Sequence, residues 1–356
     1  MELNQVFNAS AIAFQQTEAA TNRIPYFGEG LFPAKKKMGL DLKWIKGNKG
    51  LPVSLAPSNF DAKSTLRSRE GFKIDATQMA FFRESMLVDE VDEQEIQRIQ
   101  DENDPYIQSA LDSIYNDTDR LIEGARVVAE RMRMQLLAPT TDGSPRINIS
   151  ANGTQYSYNY DADGSYKTNN YKAITTAANK WSATDTANPI QDIMDAQDSV
   201  EAATGTRPSI MICSKKTMGY LLGNAKVQKA ILAQNQTANV IMTEASVKAI
   251  VQALLGVTII VYTKQYKDES GTAAKYYPDD YVTLIPDGAL GSTWYGTTPE
   301  ERTLMGRADA DVSIVDTGIA VTVTVTNDPV NTKTTVSEIV LPSYERMSET
   351  YVIKVA

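Results

Sequence analysis

Three short motifs in this 356-residue chain could do chemistry. Asp316-Thr317-Gly318 matches the signature in which aspartic proteases let two carboxylates share one proton; with one copy per chain, a homodimer would be needed. Asn159-x-Asp161-x-Asp163-Gly164 fits the opening of a calcium-binding loop, but Asn170 stands where the bidentate Glu belongs. Cys213 ends an apolar run and is followed by Ser214, Lys215 and Lys216, a strand-to-helix junction where a thiolate could be activated. Each motif has a plainer reading: a turn before the alternating run 319–326, an Asp-Gly hairpin tip, and a small buried core thiol. Tyr156, Tyr158, Tyr160, Tyr166 and Tyr171 could stack on bases or on the sugars of a glycan, or simply pack across strands. Gly47-Asn48-Lys49-Gly50 lacks the spacing and the Ser or Thr of a phosphate-binding loop.

The composition narrows these options. The chain contains no histidine, which removes the commonest general base, the Ser-His and Cys-His nucleophile systems and nearly all zinc chemistry. Its formal charge of −9 disfavours a protein that grips nucleic acid, because phosphate neutralisation needs a basic surface. A single cysteine excludes an internal disulfide framework, and an intracellular origin is expected. There is no apolar run near eighteen residues, and the first thirty residues lack the order of a signal peptide, so no membrane partner is expected. No cofactor, metal or catalytic residue is expected.

The elements that would position any site are organised around a long helix. Asp104 caps it, Pro105 opens it and Pro139 closes it, giving a span of 104–138 roughly 50 Å long. Ile107, Leu111, Ile114, Thr118, Leu121, Ala125, Val128 and Met132 form one narrow apolar face, so the helix should lie along a body as a spine. Before it, residues 1–34 read as an arm that becomes ordered on another surface, and 35–84 as an extended hairpin loop too polar for a core of its own. After it, the alternation in 146–150 and 154–160, a DADG turn and a continuation to Tyr171 predict a tyrosine-rich hairpin over 146–171. From Asn188 the pattern is α/β. A helix from Pro189 to Gly205 is followed by a strand at 208–213, a helical region from Ser214, and a helix from Thr243 to Gly256. Strands follow at 257–263 and 281–286. The end is β-rich, from Ser313 to Asn327 and again before Ala356.

Charge is unevenly distributed. Residues 35–84 hold eleven Lys or Arg against five acids, whereas 85–119 hold eleven acids and only Arg98. This asymmetry suggests that Lys43, Trp44, Lys46, Lys49, Arg67 and Arg69 in the loop of one copy meet Asp101, Glu102, Asp104 and Asp112 of another. Pairing within one chain, or plain solvation, remains the alternative.

In this order the elements resemble the major capsid proteins of tailed phages, and in particular the lambda-type major head protein family. Leu66-Arg67-Ser68-Arg69 with Gly71-Phe72 resembles the return strand of that family's extended loop. Arg126, Glu130, Met132 and Leu136-Leu137, followed by Ile147 to Ser150, resemble its spine-to-strand passage. The fullest likeness runs from 261 to 296, through Val261-Tyr262, Gln265-Tyr266, Pro278-Asp279, Leu284 and Tyr295-Gly296; Asp328-Pro329 and the final strands also fit.

The resemblance implies an α+β, HK97-like capsid fold. Its parts would be an N-terminal arm (1–34), an extended loop (35–84), a peripheral domain with the spine and hairpin (85–184), an axial domain (185–326) and return strands (327–356). It implies hexamers and pentamers closing into an icosahedral shell in the virion, assembled in the host cytoplasm. The shell would enclose double-stranded DNA without sequence-specific binding. Implied partners are a separate scaffolding protein, because no extra helical domain precedes the arm, a portal protein and a decoration protein. Lys267, Asp268 and Glu269 are expected at the symmetry axis. Some relatives crosslink a loop Lys to a distant Asn; Lys43, Lys46, Lys49 and Lys63 are available, but no such pair is marked here. A cellular nanocompartment shell is the alternative within the fold, and a homodimeric protease using Asp316 the alternative outside it.

Overall fold

The computed structural model describes residues 8–20, 25–46, 73–88, 90, 106–151, 153–232, 242–305, 311–327 and 330–356. The chain divides into two compact units. The first is Met1–Lys43, Ala76–Met132 and Ser292–Ser343; the second is Trp44–Asp75, Arg133–Gly291 and Tyr344–Ala356.

The first unit is built on a six-stranded sheet whose hub is the strand Val330–Ser343. Along one side it pairs antiparallel with Ile319–Asn327, from Ile319↔Glu338 to Asn327↔Val330. Along the other it pairs first with Ala80–Val88 and then with Ser292–Tyr295. Asp311–Val315 extends the sheet beyond Ile319–Asn327, and Ala34–Lys36 extends it, in parallel, beyond Ser292–Tyr295. Alternating Val and Thr in IAVTVTVTN suit a pleated strand, since β-branched side chains pack well there. Ile319, Val321 and Val323 join Val315 and Val336 in a core completed by Leu121, Ile122 and Ala125 of the long helix and by Ala9 and Ile12 of the arm.

The expected arm therefore includes a helix, Ala9–Ala20, that lies on its own chain. Asn8 accepts the Ala11 N–H (2.7 Å) and Asp311 accepts the Ala9 N–H (2.6 Å), so two of the donors that a helix start leaves open are satisfied. The spine is described as Tyr106–Leu137, 32 residues. Its burial is broader than one narrow face. Thr118, Leu121, Ala125 and Met132 are buried as the spacing predicts, but so are Ile122, Ala129, Met134, Leu136 and Leu137. Three charged residues, Arg126, Glu130 and Arg133, are also buried, and Glu130 accepts the Gly28 N–H (3.1 Å).

The second unit holds a five-stranded mixed sheet in the order Tyr171–Ala173, Tyr351–Lys354, Tyr281–Ile285, Ile210–Cys213, Thr258–Val261. The predicted helix signals operate as read. Gly205 (φ 70°) and Gly256 (φ 68°) end Pro189–Thr204 and Glu244–Leu255 in the left-handed conformation that glycine tolerates. Ser214 and Thr243 cap Lys215–Gly223 and Glu244–Leu255 by accepting the Thr217 and Ser246 N–H groups. The region after Ser214 is two helices, Lys215–Gly223 and Ala225–Leu232, because Asn224 interrupts it and its side chain accepts the Lys226 and Val227 N–H groups.

Two sequence expectations are corrected. The tyrosine-rich hairpin comprises only Arg146–Ala151 and Thr154–Asn159; Ser165–Asn169 is a short helix, and Tyr171–Ala173 joins the five-stranded sheet. The cause is Asp161, whose carboxylate accepts the N–H groups of Tyr166 (2.9 Å) and Lys167 (3.0 Å) and so favours a helical turn over a strand. In addition, Ser292–Tyr295, Asp311–Val315 and Ile319–Asn327, expected in the axial domain, pair within the first unit's sheet, whereas the hairpin lies in the second unit. The alternating run 319–326 pairs antiparallel with 330–343, so strands that follow one another in sequence are neighbours in the sheet.

Candidate functional site

The three motifs that could do chemistry are spent on structure. Asp316 sits in the turn joining Asp311–Val315 to Ile319–Asn327, with φ 52°, and its Oδ2 accepts from Arg126 Nε at 2.8 Å. Burial works against the Arg126 charge, but the hydrogen bond and charge of Asp316, with Glu123 beside it, outweigh that and raise its pKa. Gly318 completes the turn where a Cβ would stand 2.4 Å from Tyr295 Cβ. Asp161 is buried and holds the start of the short helix, and Ser165 Oγ bonds Asp163 (2.8 Å). Among the described residues, no group of three or more His, Cys, Asp or Glu is placed to hold a metal ion. Cys213 is fully buried, and burial pushes its thiol up to about 12, far from a reactive thiolate.

The tyrosines also face the protein itself. Tyr156 and Tyr158 stack along the hairpin (6.3 Å between centroids, 7° between planes). Tyr160 and Tyr166 are buried, and the Tyr166 hydroxyl bonds Thr350 Oγ1 (3.1 Å). A polar pocket of about 330 Å³ in the second unit is lined in part by Lys172, Asn188, Asp192 and Lys226. Its lysines are engaged, Lys172 with Asp192 and Lys226 with the Thr186 carbonyl, both at 3.1 Å.

Eight large apolar side chains stand exposed among the described residues, and all but Leu254 belong to the first unit. Met38 (90 %) and Leu40 flank Gly39 (φ 88°) at the root of the extended loop. Met86, Leu87 and Val325 lie at one end of the six-stranded sheet, close to the paired positions Val88↔Thr332 and Val325↔Thr332. Phe14 projects from the arm helix, and Met305 follows Pro299–Thr303. Met86 and Val325 lie on the same face of the sheet, since Val88 and Val325 both pair with Thr332, whereas Leu87 points to the other face.

The residues expected to meet between copies are only partly described. Lys43, Trp44 and Lys46 lie in the strand Asp41–Lys46, which pairs with Lys73–Gln78 as a two-stranded root. Asp112 lies in the spine helix. Lys49, Arg67, Arg69, Asp101, Glu102 and Asp104 fall outside the described residues. Lys267, Asp268 and Glu269 occupy a small hairpin between Gln265–Lys267 and Ala273–Lys275, where Asp268 Oδ1 accepts from Ser270 N and Thr272 N (3.0 and 2.8 Å). Lys267 and Glu269 are exposed at this tip. Sequence reasoning missed the Arg126–Asp316 pair and the acids Glu300 and Glu301. For the acids a signal existed, since Thr298-x-x-Glu301 has the spacing of a capping box.

Comparison with solved structures shows the fold. A prophage capsid protein from E. coli CFT073 superposes with a TM-score of 0.58 at 15 % identity, covering 98 % of this chain and 99 % of the other. A phage-related protein from Bordetella bronchiseptica RB50 gives 0.57 at 15 % identity, with 96 % of each chain covered. The capsid of cyanophage A-1(L) gives 0.50 at 10 % identity, over 99 % and 95 %. No curated protein sequence matches. The fold is thus HK97-like. The model of the family described as phage major capsid protein E matches residues 14–355, and the chain belongs to that family.

Proposed function

We propose that this virion protein assembles as hexamers and pentamers into an icosahedral shell around double-stranded DNA. The observation that carries this reading is the set of large apolar side chains exposed in the first unit, among them Met38 and Leu40 beside the two-stranded ribbon of Asp41–Lys46 and Lys73–Gln78. A ribbon of two strands is marginal in water and gains stability when it packs on another surface. In this reading Lys43, Trp44, Lys46, Lys49, Arg67 and Arg69 of one copy face Asp101, Glu102, Asp104 and Asp112 of the next, and Lys267, Asp268 and Glu269 ring the axis of each capsomer. A separate scaffolding protein guides closure, a portal occupies one vertex, and a decoration protein binds outside. The negative net charge lets the shell enclose DNA without gripping it.

The test is electron microscopy of the purified protein, alone and coexpressed with the scaffold gene. Rings of five and six or closed particles are expected. A uniform monomer or dimer under every condition overturns the proposal.

A further inference from the structure

The two legs of the extended loop are held by neighbouring acids on one short helix. Thr298 accepts the Glu301 N–H (3.2 Å) and Pro299 opens the helix Pro299–Thr303, so Glu300 and Glu301 stand side by side in its first turn, where the helix dipole favours negative charge. On the incoming leg, Ala34–Lys36 pairs with Ser292–Tyr295, the Lys37 N–H donates to the Tyr295 carbonyl (2.8 Å), and Lys36 Nζ donates to Glu301 Oε1 (2.6 Å). On the outgoing leg, Arg83 lies in Ala80–Val88 and forms an ion pair with Glu300. Glu300 is 6 % exposed and also accepts from Ser337 Oγ of the hub strand (2.8 Å).

The space between the legs is closed at Gly296. A Cβ there would come within 2.6 Å of Ile339 Cγ2, 2.9 Å of Met79 Cε and 3.0 Å of the Gly39 carbonyl oxygen. The Met79 N–H donates to the Leu40 carbonyl (2.9 Å), which ties the legs to each other just beyond the clamp.

We propose that Glu300 and Glu301 are positioning residues for the extended loop, one acid per leg, and that together they hold the legs at Lys36 and Arg83 in place on the first unit's sheet. The consequence for assembly rests on the shell reading, because only a loop that contacts another copy transmits the placement of its legs to the particle. Charge-assisted hydrogen bonds are directional, and although the Lys36 and Arg83 side chains are 34 % and 47 % exposed, the carboxylates of Glu301 and Glu300 are 17 % and 7 % exposed, so each acid holds its leg in one geometry.

The test compares Lys36→Glu, Glu301→Lys, their combination and the near-isosteric Glu301→Gln with the wild type. Hydrogen exchange is followed at the Lys37 and Met79 amides of the unassembled full-length chain. Each single variant is expected to speed exchange at both amides by about tenfold or more, while the exchanged pair Lys36→Glu/Glu301→Lys returns it towards the wild-type rate. Particle closure by electron microscopy is expected to fail and recover in step. Unchanged exchange in Glu301→Gln and in both single reversals overturns the clamp, as does a double variant that restores neither amide. If the exchange pattern holds but the wild type itself forms no particles, the clamp stands and the shell reading falls.

Discussion

Asp316 occupies the left-handed region at φ 52°, which Asp and Asn tolerate better than other non-glycine residues, and its carboxylate faces a buried guanidinium. Asp316→Asn keeps both the backbone preference and an acceptor for Arg126. Because Asp316 is 37 % exposed, the loss of charge is expected to cost about 1 kcal/mol or less, with particle formation unchanged. Gly318→Ala is a different matter. Its Cβ would overlap Tyr295 Cβ, an atom held by the strand backbone, and the overpacking is expected to cost about 3 kcal/mol. Thermal melts of the two variants check the order; a more damaging Asp316→Asn would mean that charge, not shape, governs this turn. Cys213 and the buried Tyr166, Tyr277 and Tyr344 carry a second prediction. Burial raises all four above their ordinary values, so the unfolded chain loses these protons first as pH rises. Their contribution to stability is complete below about pH 9 and is lost as pH climbs towards about 12. Urea midpoints are expected to fall across that window, and Cys213 to resist alkylation near neutral pH until the protein is denatured. Rapid labelling of the native chain would contradict this burial.

The last turn of the spine helix shows what an element needs beyond its own sequence. The Leu137 carbonyl is one of those a helix end leaves open, and Thr283 Oγ1 of the strand Tyr281–Ile285 donates to it at 2.6 Å. That commits the only Thr283 proton, so the Tyr277 hydroxyl, 2.8 Å away, is the donor in its bond to Thr283. Thr283→Val keeps the shape and removes both bonds. It is expected to cost about 2–3 kcal/mol, because a buried carbonyl and a buried phenol lose their partner, whereas Thr272→Val on the exposed tip is expected to cost little. Denaturant titration of the two variants checks the contrast, and equal costs would mean that the Leu137 carbonyl finds another donor. Helix stops at Gly205 and Gly256 and caps at Ser214 and Thr243 were legible because each is decided within four residues. The helix Ser165–Asn169 was not, since Tyr-x-Tyr alternation runs into it and only the buried carboxylate of Asp161 breaks the pattern. The breadth of burial on the spine was hidden for a similar reason. Arg126, Glu130 and Arg133 are charged and fall outside the apolar face read from the spacing, and the burial of Arg126 and Glu130 goes with partners far away in sequence, Asp316 and Gly28.

At the scale of the whole molecule, the long helix and the α/β elements after Asn188 were legible, but the strand pairing that builds the first unit's sheet was not. The hub strand Val330–Ser343 takes Ala80–Val88 as its neighbour, a pairing such as Val340↔Ala80 that spans most of the chain and leaves no local signal. The loop residues proposed to meet another copy remain an inference from charge, and that inference has a distinctive salt dependence. Copies carrying −9 repel as wholes, and screening that repulsion alone would make association faster as salt rises. Local attraction between the basic stretch 35–84 and the acidic stretch 85–119 works in the opposite direction. The Debye length is about 10 Å at about 0.1 M salt and about 3 Å at about 1 M, so nearby complementary charges outweigh the distant net charge at the lower value and are lost at the higher one. The initial rate of particle formation, followed by light scattering, is therefore expected to fall over that range, while the final yield, set by apolar burial, changes less. Reversing Asp101, Glu102 and Asp104 to Lys should remove most of the dependence. A rate that rises with salt in the wild type would show that net repulsion dominates and that the loop is not guided to its neighbour by charge.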